Sequence, residues 1–275
     1  MIPLRPMAHP YFDVAEPTVI AHRGSAGEAP ENTLPSFERA LAQGAAILES
    51  DIHGTRDGVP VLIHDDVVDR CTDGSGAVGD HSFDALRRLD AGYRFTPDSG
   101  RSYPQRGRGI RIPSLAEALE AFPGARFNLE LKERRPDLVA NTVTAVANAG
   151  REALTLLTAG EDQLMAELRD CLAKKGVDVA QGACLADILA FVQSAQRDEP
   201  PPSAAMALQV PAHFAGRPLV TARFVEHAHA HGLRVHVWTI DEVDEMNALL
   251  DLGVDGLVTN FPGRMVGVLA ARAEA

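Results

Sequence analysis

Strand-like and helix-like patterns of apolar residues alternate along this chain from residue 18 to its end. The helix-like segments repeat apolar residues every three or four positions, and most of them end at a glycine, a common helix stop. Strands that alternate with helices predict a parallel sheet. The eight strand-like runs begin at Thr18, Ile47, Ala125, Ala153, Val177, Ala205, Arg234 and Asp255, and the clearest helical segments are LPSFERALAQG, LVANTVTAVANAG, EDQLMAELRDCLAKKG, FVEHAHAHG and EVDEMNALLDLG.

Eight such units in roughly 250 residues match the size of a closed barrel. An open doubly wound sheet usually has fewer strands and a glycine-rich phosphate turn, which this sequence lacks. We therefore predict the α/β class, a (β/α)₈ TIM barrel formed as one catalytic domain by residues 1–275.

The alternation of strands and helices is interrupted after the second strand, where residues 54–112 predict a small insertion in the loop after strand 2. It opens with the hairpin-like VPVLIHDD, and between Asp84 and Arg111 seven arginines face three aspartates. One interpretation is a solvated excursion. The other is a rim that attracts an anionic substrate, because loops after barrel strands lie on the catalytic face.

The composition and net charge of the chain limit its possible binding partners. The hydrophobic share of 45% and the charged share of 23% are those of a folded globular chain. The net charge of −12 argues against nucleic acid or an anionic membrane as the main partner. No apolar run approaches the ~20 residues of a spanning helix, so we expect no stable membrane insertion. Three cysteines without metal-binding spacing, and no apolar leader, predict a cytoplasmic protein.

Alternating carboxylates on two predicted strands indicate a metal site. Glu49 and Asp51 leave the same face of one strand, and Glu130 and Lys132 share a face of another. If these faces meet at the mouth of the barrel, three carboxylates crowd together and need protonation or a cation. Oxygen ligands suit a divalent cation, Mg²⁺ or Ca²⁺. The alternative is ordinary salt bridges between these acids and Arg or Lys.

Two histidines near these acids can serve as proton acceptor and donor. His22 ends the first strand, and His64 ends the hairpin strand in LIHDD. Arg23 offers a planar fork for phosphate oxygens and Lys132 a point charge, which together suit a phosphodiester. Glu31, in the loop after strand one, either orients Arg23 or is simply exposed.

Other residues have simpler interpretations. Asn32 and Thr33 read as a helix start. The histidines of EHAHAHG, at positions 227, 229 and 231, are predicted to lie on a solvated helix face without a carboxylate partner. His53 and His236 are interpreted as structural residues.

The motifs AHRG, ENT, ESD, LIHD, NLELK and VWT, in this order, resemble those of the glycerophosphodiester phosphodiesterases over nearly the whole chain. The resemblance implies the barrel and its insertion. It also implies these roles: His22 and His64 as acid and base; Glu49, Asp51 and Glu130 as metal ligands; Arg23 and Lys132 as phosphate-binding groups; and Trp238 in the glycerol pocket. Family members commonly carry T-D-x-P late in strand eight, whereas this chain has Asn260 there, which weakens any role for charge at that position.

The leading hypothesis is a metal-dependent enzyme that hydrolyses a small-molecule glycerophosphodiester to sn-glycerol 3-phosphate and an alcohol. The base and acid assignment, a cyclic intermediate and a homodimer stay open. One alternative is a lysophospholipase D or sphingomyelinase D, which needs an apolar groove that the sequence does not reveal. An amidohydrolase would carry H-x-H on strand one, and a non-catalytic phospho-ligand-binding barrel should have lost part of the residue set.

Overall fold

Eight parallel strands form a nearly closed barrel in the computed structural model, which describes residues 9–135, 137–202 and 204–274. The elements are β1 (Thr18–Ala21), α1 (Leu34–Ala42), β2 (Ile47–Gly54), β3 (Pro60–Leu62), α2 (Phe83–Leu86), α3 (Leu115–Ala121), β4 (Arg126–Leu131), α4 (Leu138–Asn148), β5 (Thr155–Thr158), α5 (Asp162–Lys175), β6 (Ala180–Gln181), α6 (Leu185–Arg197), β7 (Ala207–Pro211), β8 (His213–Phe214), β9 (Arg217–Pro218), α7 (Ala222–Ala230), β10 (Arg234–Trp238), α8 (Val243–Asp251), β11 (Gly256–Thr259) and α9 (Pro262–Ala273). The strand order is β6-β5-β4-β2-β1-β11-β10-β7, and a bridge between Gly182 and Ala207 brings the two end strands together.

The predicted TIM barrel is confirmed, and each of the eight strand-like runs contains one barrel strand. The five helical segments named from the sequence are α1, α4, α5, α7 and α8. Three further helices that those patterns did not single out, α3, α6 and α9, complete the outer layer. Among the described residues, no helix has the length and apolar character needed to cross a membrane.

Inward-facing positions change from apolar to polar along the strands. Near the amino ends, Ile47, Ala180 and Ala207 are the first residues of β2, β6 and β7. They belong to a buried cluster that also includes Tyr11, from a short 3₁₀ turn preceding β1. Two residues further along β2 the same face carries Glu49, and two further Asp51. The amino end of the barrel is therefore filled with apolar side chains, while the carboxyl end is polar.

The segment between β2 and α3 has a hydrophobic cluster of its own. Strand β3 pairs antiparallel with β2, and the loop that follows returns over it. His64 does not end this strand as predicted, because β3 stops at Leu62 and His64 lies in the bend beyond it. The cluster comprises Val61, Ile63, Val68, Val78, Leu86, Ala91, Ile110 and Ile112.

Candidate active site

A cleft of about 670 Å³ opens at the carboxyl ends of the barrel strands and collects nearly all the predicted site residues. Volumes of this order hold drug-sized ligands. Of the predicted site residues, only Glu31 does not line the cleft; it lies behind Arg23, which does. The predicted residues in the lining are His22, Arg23, Glu49, Asp51, His64, Glu130, Lys132 and Trp238.

The turn after β1 explains the HRG motif. Arg23 has a left-handed backbone (φ 50°), and its backbone N–H donates to Glu49 Oε2 at 2.9 Å. Gly24 follows with φ 81°, and a Cβ there would lie 2.7 Å from the carbonyl carbon of Ser36. Only glycine therefore fits this turn, because it combines a positive φ with a close approach to helix α1.

Two cationic side chains reach the carboxylates. Asp51 and Glu130 are register partners on β2 and β4. Lys132 Nζ lies 3.1 Å from Glu130 Oε2 and 3.5 Å from Asp51 Oδ1, while Arg23 Nε lies 3.3 Å from Asp51 Oδ2. The salt-bridge alternative from the sequence thus describes the contacts of Asp51 and Glu130 in this structure.

The predicted metal ligands, Glu49, Asp51 and Glu130, have the oxygen atoms that a hard dication requires. Burial, and then the neighbouring charge of Asp51, raise the pKa of Glu49 well above its usual range, and Glu130 adds to this effect. A cation would relieve this repulsion, and carboxylate oxygens are ligands that Mg²⁺ and Ca²⁺ accept. Within the described ranges no three His, Cys, Asp or Glu side chains are already arranged around a metal position. The three carboxylates therefore suit such an ion, both by their oxygen atoms and by their mutual repulsion. In this structure Lys132 and Arg23 provide the neutralising positive charge.

A chain of hydrogen bonds fixes the tautomer of His22. Asp241 can only accept, and it accepts from Asn260 Nδ2 at 2.7 Å and from the backbone N–H of Asn260 at 2.8 Å. The oxygen Oδ1 of Asn260 must therefore face His22 Nδ1, 2.7 Å away, and that nitrogen is the donor. Nε2 of His22 is left as a proton acceptor. Burial, with the adjacent Arg23 charge, lowers the pKa of His22, so its neutral form prevails at pH 7.

His64 has a carboxylate partner. Its Nδ1 lies 2.6 Å from Asp65 Oδ1, and because a carboxylate only accepts, Nδ1 is the donor. Arg70 binds the other oxygen of Asp65 and also Glu31, with contacts of 2.5–2.6 Å. Arg70, together with the hydrogen bond of His64, lowers the pKa of Asp65 to about 2 despite its partial burial.

Glu31 orients Arg23, which was one of its two predicted roles. Its Oε1 accepts from Arg23 Nη1 at 3.0 Å. Asn32 does more than begin a helix: its Nδ2 donates to Asp51 Oδ2 at 3.2 Å, and its Oδ1 accepts from Ser50 at 2.7 Å. Thr33 is the N-cap of α1, as predicted.

Several site residues were missed from the sequence. The sequence indicated only that Asn260 weakens any role for charge at its position, yet its side chain binds His22. Arg70 belongs to the insertion, and none of the arginines in the 84–111 stretch lines the cleft. Three other polar lining residues, Asn128, Thr158 and Gln209, occupy inward strand positions, where strand parity could have identified them.

Two predictions about the EHAHAHG helix were wrong. His227 is buried rather than solvated, and its Nε2 lies 3.2 Å from Ser194 Oγ. His229 has a carboxylate partner, with Nε2 2.9 Å from Asp255 Oδ2. The histidine-rich helix is therefore tied to the core by two of its rings.

The expectation that no apolar segment borders the site was also wrong. Beyond the charged residues, the cleft continues along apolar side chains of α6 and of the segment after β7. We call this surface the apolar wall, and it consists of Leu185, Ile188, Leu189, Val192, Phe214 and Leu219.

Comparison with known proteins supports the motif resemblance. Residues 22–264 match the model of the glycerophosphoryl diester phosphodiesterase family. A probable glycerophosphodiester phosphodiesterase 2 of Mycobacterium tuberculosis is 31% identical, covering 93% of this chain and 91% of its own length. The human lysophospholipase D GDPD1 is 27% identical, with 90% and 84% covered. The crystal structure of an Oleispira antarctica phosphodiesterase in complex with the product sn-glycerol-3-phosphate has a TM-score of 0.72 at 27% identity, covering 93% of this chain and 97% of that one.

Proposed function

This chain belongs to the glycerophosphoryl diester phosphodiesterase family, and from that premise we propose how its cleft acts on a substrate. It is a phosphodiesterase, and the substrate we propose is a glycerophosphodiester that it hydrolyses to sn-glycerol 3-phosphate and a free alcohol. The structure of the Oleispira relative with that product supports this choice of products. The observation that carries the proposal is the pair of oriented imidazoles beside a cluster of carboxylates and cations.

His22 is proposed as the base. Because Asn260 holds its Nδ1 as a donor, Nε2 is free to take a proton from the attacking oxygen. His64 is proposed as the acid. Asp65 holds its Nδ1 and so orients the ring, and in the protonated ring the proton on Nε2 can pass to the departing alkoxide. In the part of the chain that the structure describes, Nε2 of each ring makes no hydrogen bond, and both rings line the cleft.

Arg23 and Lys132 are proposed to bind the non-bridging phosphate oxygens. Arg23 is held at Nη1 by Glu31, so its orientation is set before substrate binds. Lys132 lies within reach of both carboxylates on β2 and β4 and can turn toward an anion from there. Positive charge at this position stabilises the negative charge that grows on phosphate during in-line attack.

Glu49, Asp51 and Glu130 would hold the proposed divalent cation, Mg²⁺ or Ca²⁺. When bound, such an ion supplies Lewis-acid stabilisation of charge on phosphate oxygens. The raised pKa of Glu49, caused by burial and by its like-charged neighbours, supports a requirement for added positive charge. Trp238, at the carboxyl end of β10, is proposed to pack against the glycerol moiety.

The test uses glycerophosphocholine as substrate and assays glycerol 3-phosphate and choline, with EDTA and with added Mg²⁺ or Ca²⁺. We expect product only with a divalent ion. The variants His22→Ala and His64→Ala should each lower kcat by about a hundredfold or more. His213→Ala, which changes an exposed histidine outside the cleft, is the matched control. Absence of product with every ion, from a folded protein, contradicts the proposed function.

We also propose a reducing compartment, the cytoplasm, for this enzyme. The free thiols of Cys71, Cys171 and Cys184 support this location. Fractionation of cells that express the tagged protein would test it, and recovery in an oxidising compartment would contradict it.

A further inference from the structure

Exposed apolar side chains are concentrated at this cleft. In the described ranges, six large hydrophobic residues are exposed, and four of them, Leu185, Leu189, Phe214 and Trp238, line the cleft. Isolated surface leucines need no explanation, but a contiguous exposed apolar patch usually marks a binding site. This patch continues into the pocket that holds His22 and His64.

Helix α6 has two apolar faces. Phe191 and Ala195 are buried against the barrel, which is the face that an outer helix needs. A second stripe, Leu185, Ile188, Leu189 and Val192, recurs with spacings of three, four and seven residues and faces the cleft. Ile188 and Val192 also pack against the main hydrophobic core, but Leu185 and Leu189 are each about half exposed, so packing within the protein does not account for these two leucines.

The segment after β7 supplies the rest of the apolar wall. It forms the β8–β9 hairpin, whose Phe214 is 63% exposed and lines the cleft together with Leu219. Strands β6 and β7 are neighbours through the Gly182–Ala207 bridge. The hairpin and α6 therefore rise side by side from adjacent strands at the carboxyl face.

The charged and the apolar parts of the lining are concentrated on different arcs of the barrel. Among the described residues, the Asp, Glu, Lys and Arg side chains that line the cleft lie on or shortly after β1, β2 and β4: Arg23, Glu49, Asp51, Glu130 and Lys132. In the strand order, β1 is four places from β6 and β2 four places from β7, which is half the circumference of an eight-stranded barrel. A molecule that spans the mouth meets charges at one end and hydrocarbon at the other.

We propose that the apolar wall binds the hydrocarbon chain of a single-chain glycerophosphodiester, that is, a lysophospholipid. This inference rests on the proposed function and specifies its substrate class. Water would add to phosphorus and the P–O bond to the headgroup alcohol would break, leaving the acylated glycerol phosphate and the free alcohol. The human relative named lysophospholipase D has the same substrate class in its name. Because the apolar wall is continuous with the site, the ligand we propose for it is the hydrocarbon chain of a substrate bound in the cleft.

The test compares glycerophosphocholine with lysophosphatidylcholines of 8, 10 and 12 acyl carbons, each held below its micellar concentration, by release of choline. For the wild type, kcat/KM should rise with chain length, to about tenfold or more above the value for glycerophosphocholine. A flat series with intact cleavage of glycerophosphocholine overturns this inference and leaves the proposed function standing. Failure on all four substrates counts against the proposed function instead.

The variant Leu189→Asn should lower kcat/KM for the 12-carbon substrate about tenfold more than for glycerophosphocholine. Val243→Asn is the matched control, since Val243 is 42% exposed on α8 and lies outside the cleft. It should leave both substrates unaffected. A different result would show that the wall is a membrane contact and that the inference is wrong. In that case the series is flat, the wild type cosediments with phosphatidylcholine vesicles, and Leu189→Asn does not.

Discussion

The ring of His53 supports the backbone of His64: Nε2 of His53 lies 3.0 Å from the carbonyl oxygen of His64, and because a carbonyl only accepts, Nε2 is the donor. His53 is buried on β2 beyond Asp51, and its Nδ1 lies 3.4 Å from Glu133 Oε1. The bend that presents His64 to the cleft is therefore anchored to a barrel strand. His53 is a structural residue, as interpreted from the sequence, but its contact is with the proposed acid.

Replacing this anchor should reduce turnover more than substrate binding. His53→Leu removes the donor at similar bulk, so the backbone of His64 gains freedom. Because a small misplacement of a catalytic group is costly, we expect kcat for glycerophosphocholine to fall about ten- to hundredfold with KM within about twofold. The measurement is steady-state kinetics alongside a denaturation curve, on which a lost buried hydrogen bond costs about 1 kcal/mol.

His53→Gln is the conservative comparison, since an amide N–H can also donate to the carbonyl of His64. It should recover most of the turnover lost in His53→Leu. If the leucine variant loses stability and keeps its kcat, His53 does not position His64 and the contact serves only the fold.

Asn260 should control the protonation of His22. Asn260→Leu removes the acceptor at Nδ1, and without it the ring loses its tautomer and orientation, so kcat should fall about a hundredfold. Asn260→Asp keeps an acceptor and adds a negative charge, which raises the pKa of His22. The neutral base is then lost at a higher pH, so the acidic limb of the pH–kcat/KM profile should move upward.

The two variants separate orientation from charge. A profile for Asn260→Asp that overlays the wild type would show that this residue does not sense the charge of His22. Arg272→Gln, on the outer face of α9, is the control for general changes of surface charge.

The barrel and most of the site could be predicted because the alternation of side chains along a strand depends only on residues that are close in sequence. Glu49 and Asp51 are two residues apart on one strand, and that spacing alone places them on one face at the mouth. The bonds of Asn260 to His22 and of Arg70 to Glu31 join positions 238 and 39 residues apart. Such pairings depend on how loops return over the barrel, which no local pattern specifies.

The apolar wall was missed for a different reason. The residues of α6 are apolar on two faces, so the sequence pattern resembles a fully buried helix segment and gives no sign that one face is exposed. Only the position of α6 directly after β6, at the carboxyl face, reveals which stripe faces the cleft. A continuous apolar run can therefore hide a binding surface as easily as a core.

A divalent ion should stabilise the folded enzyme without any substrate. Binding of Mg²⁺ or Ca²⁺ among Glu49, Asp51 and Glu130 would relieve their repulsion, and an ion at 100 times its Kd adds about 2.7 kcal/mol to the free energy of unfolding. Thermal unfolding with EDTA and with each ion measures this as a rise in Tm.

Asp51→Asn should remove most of that rise, whereas Glu226→Gln, at an exposed position on α7, should retain it. Equal Tm values with and without both ions in the wild type would contradict the proposed metal site, whatever the catalytic assay gives.

His236 should make the barrel sensitive to mild acid. It is buried on β10, and its Nδ1 has no hydrogen-bond partner among the described residues. Burial lowers the pKa of His236 to about 4, with smaller opposing effects of Asp255 and Arg234. In the unfolded chain the pKa is near 6.5, so as pH falls the unfolded state takes up the proton first.

The free energy of unfolding should therefore be unaffected by His236 above about pH 6.5 and fall between pH 6.5 and pH 4. The contribution of this one residue is about 2 kcal/mol at pH 5. His236→Leu removes the titrating group, so urea denaturation at pH 7.5 and pH 5 should show a smaller loss of stability in that variant than in the wild type. His213→Gln, at an exposed position on β8, should keep the wild-type loss. Equal losses in the wild type and in His236→Leu would show that His236 does not stay neutral in the folded barrel.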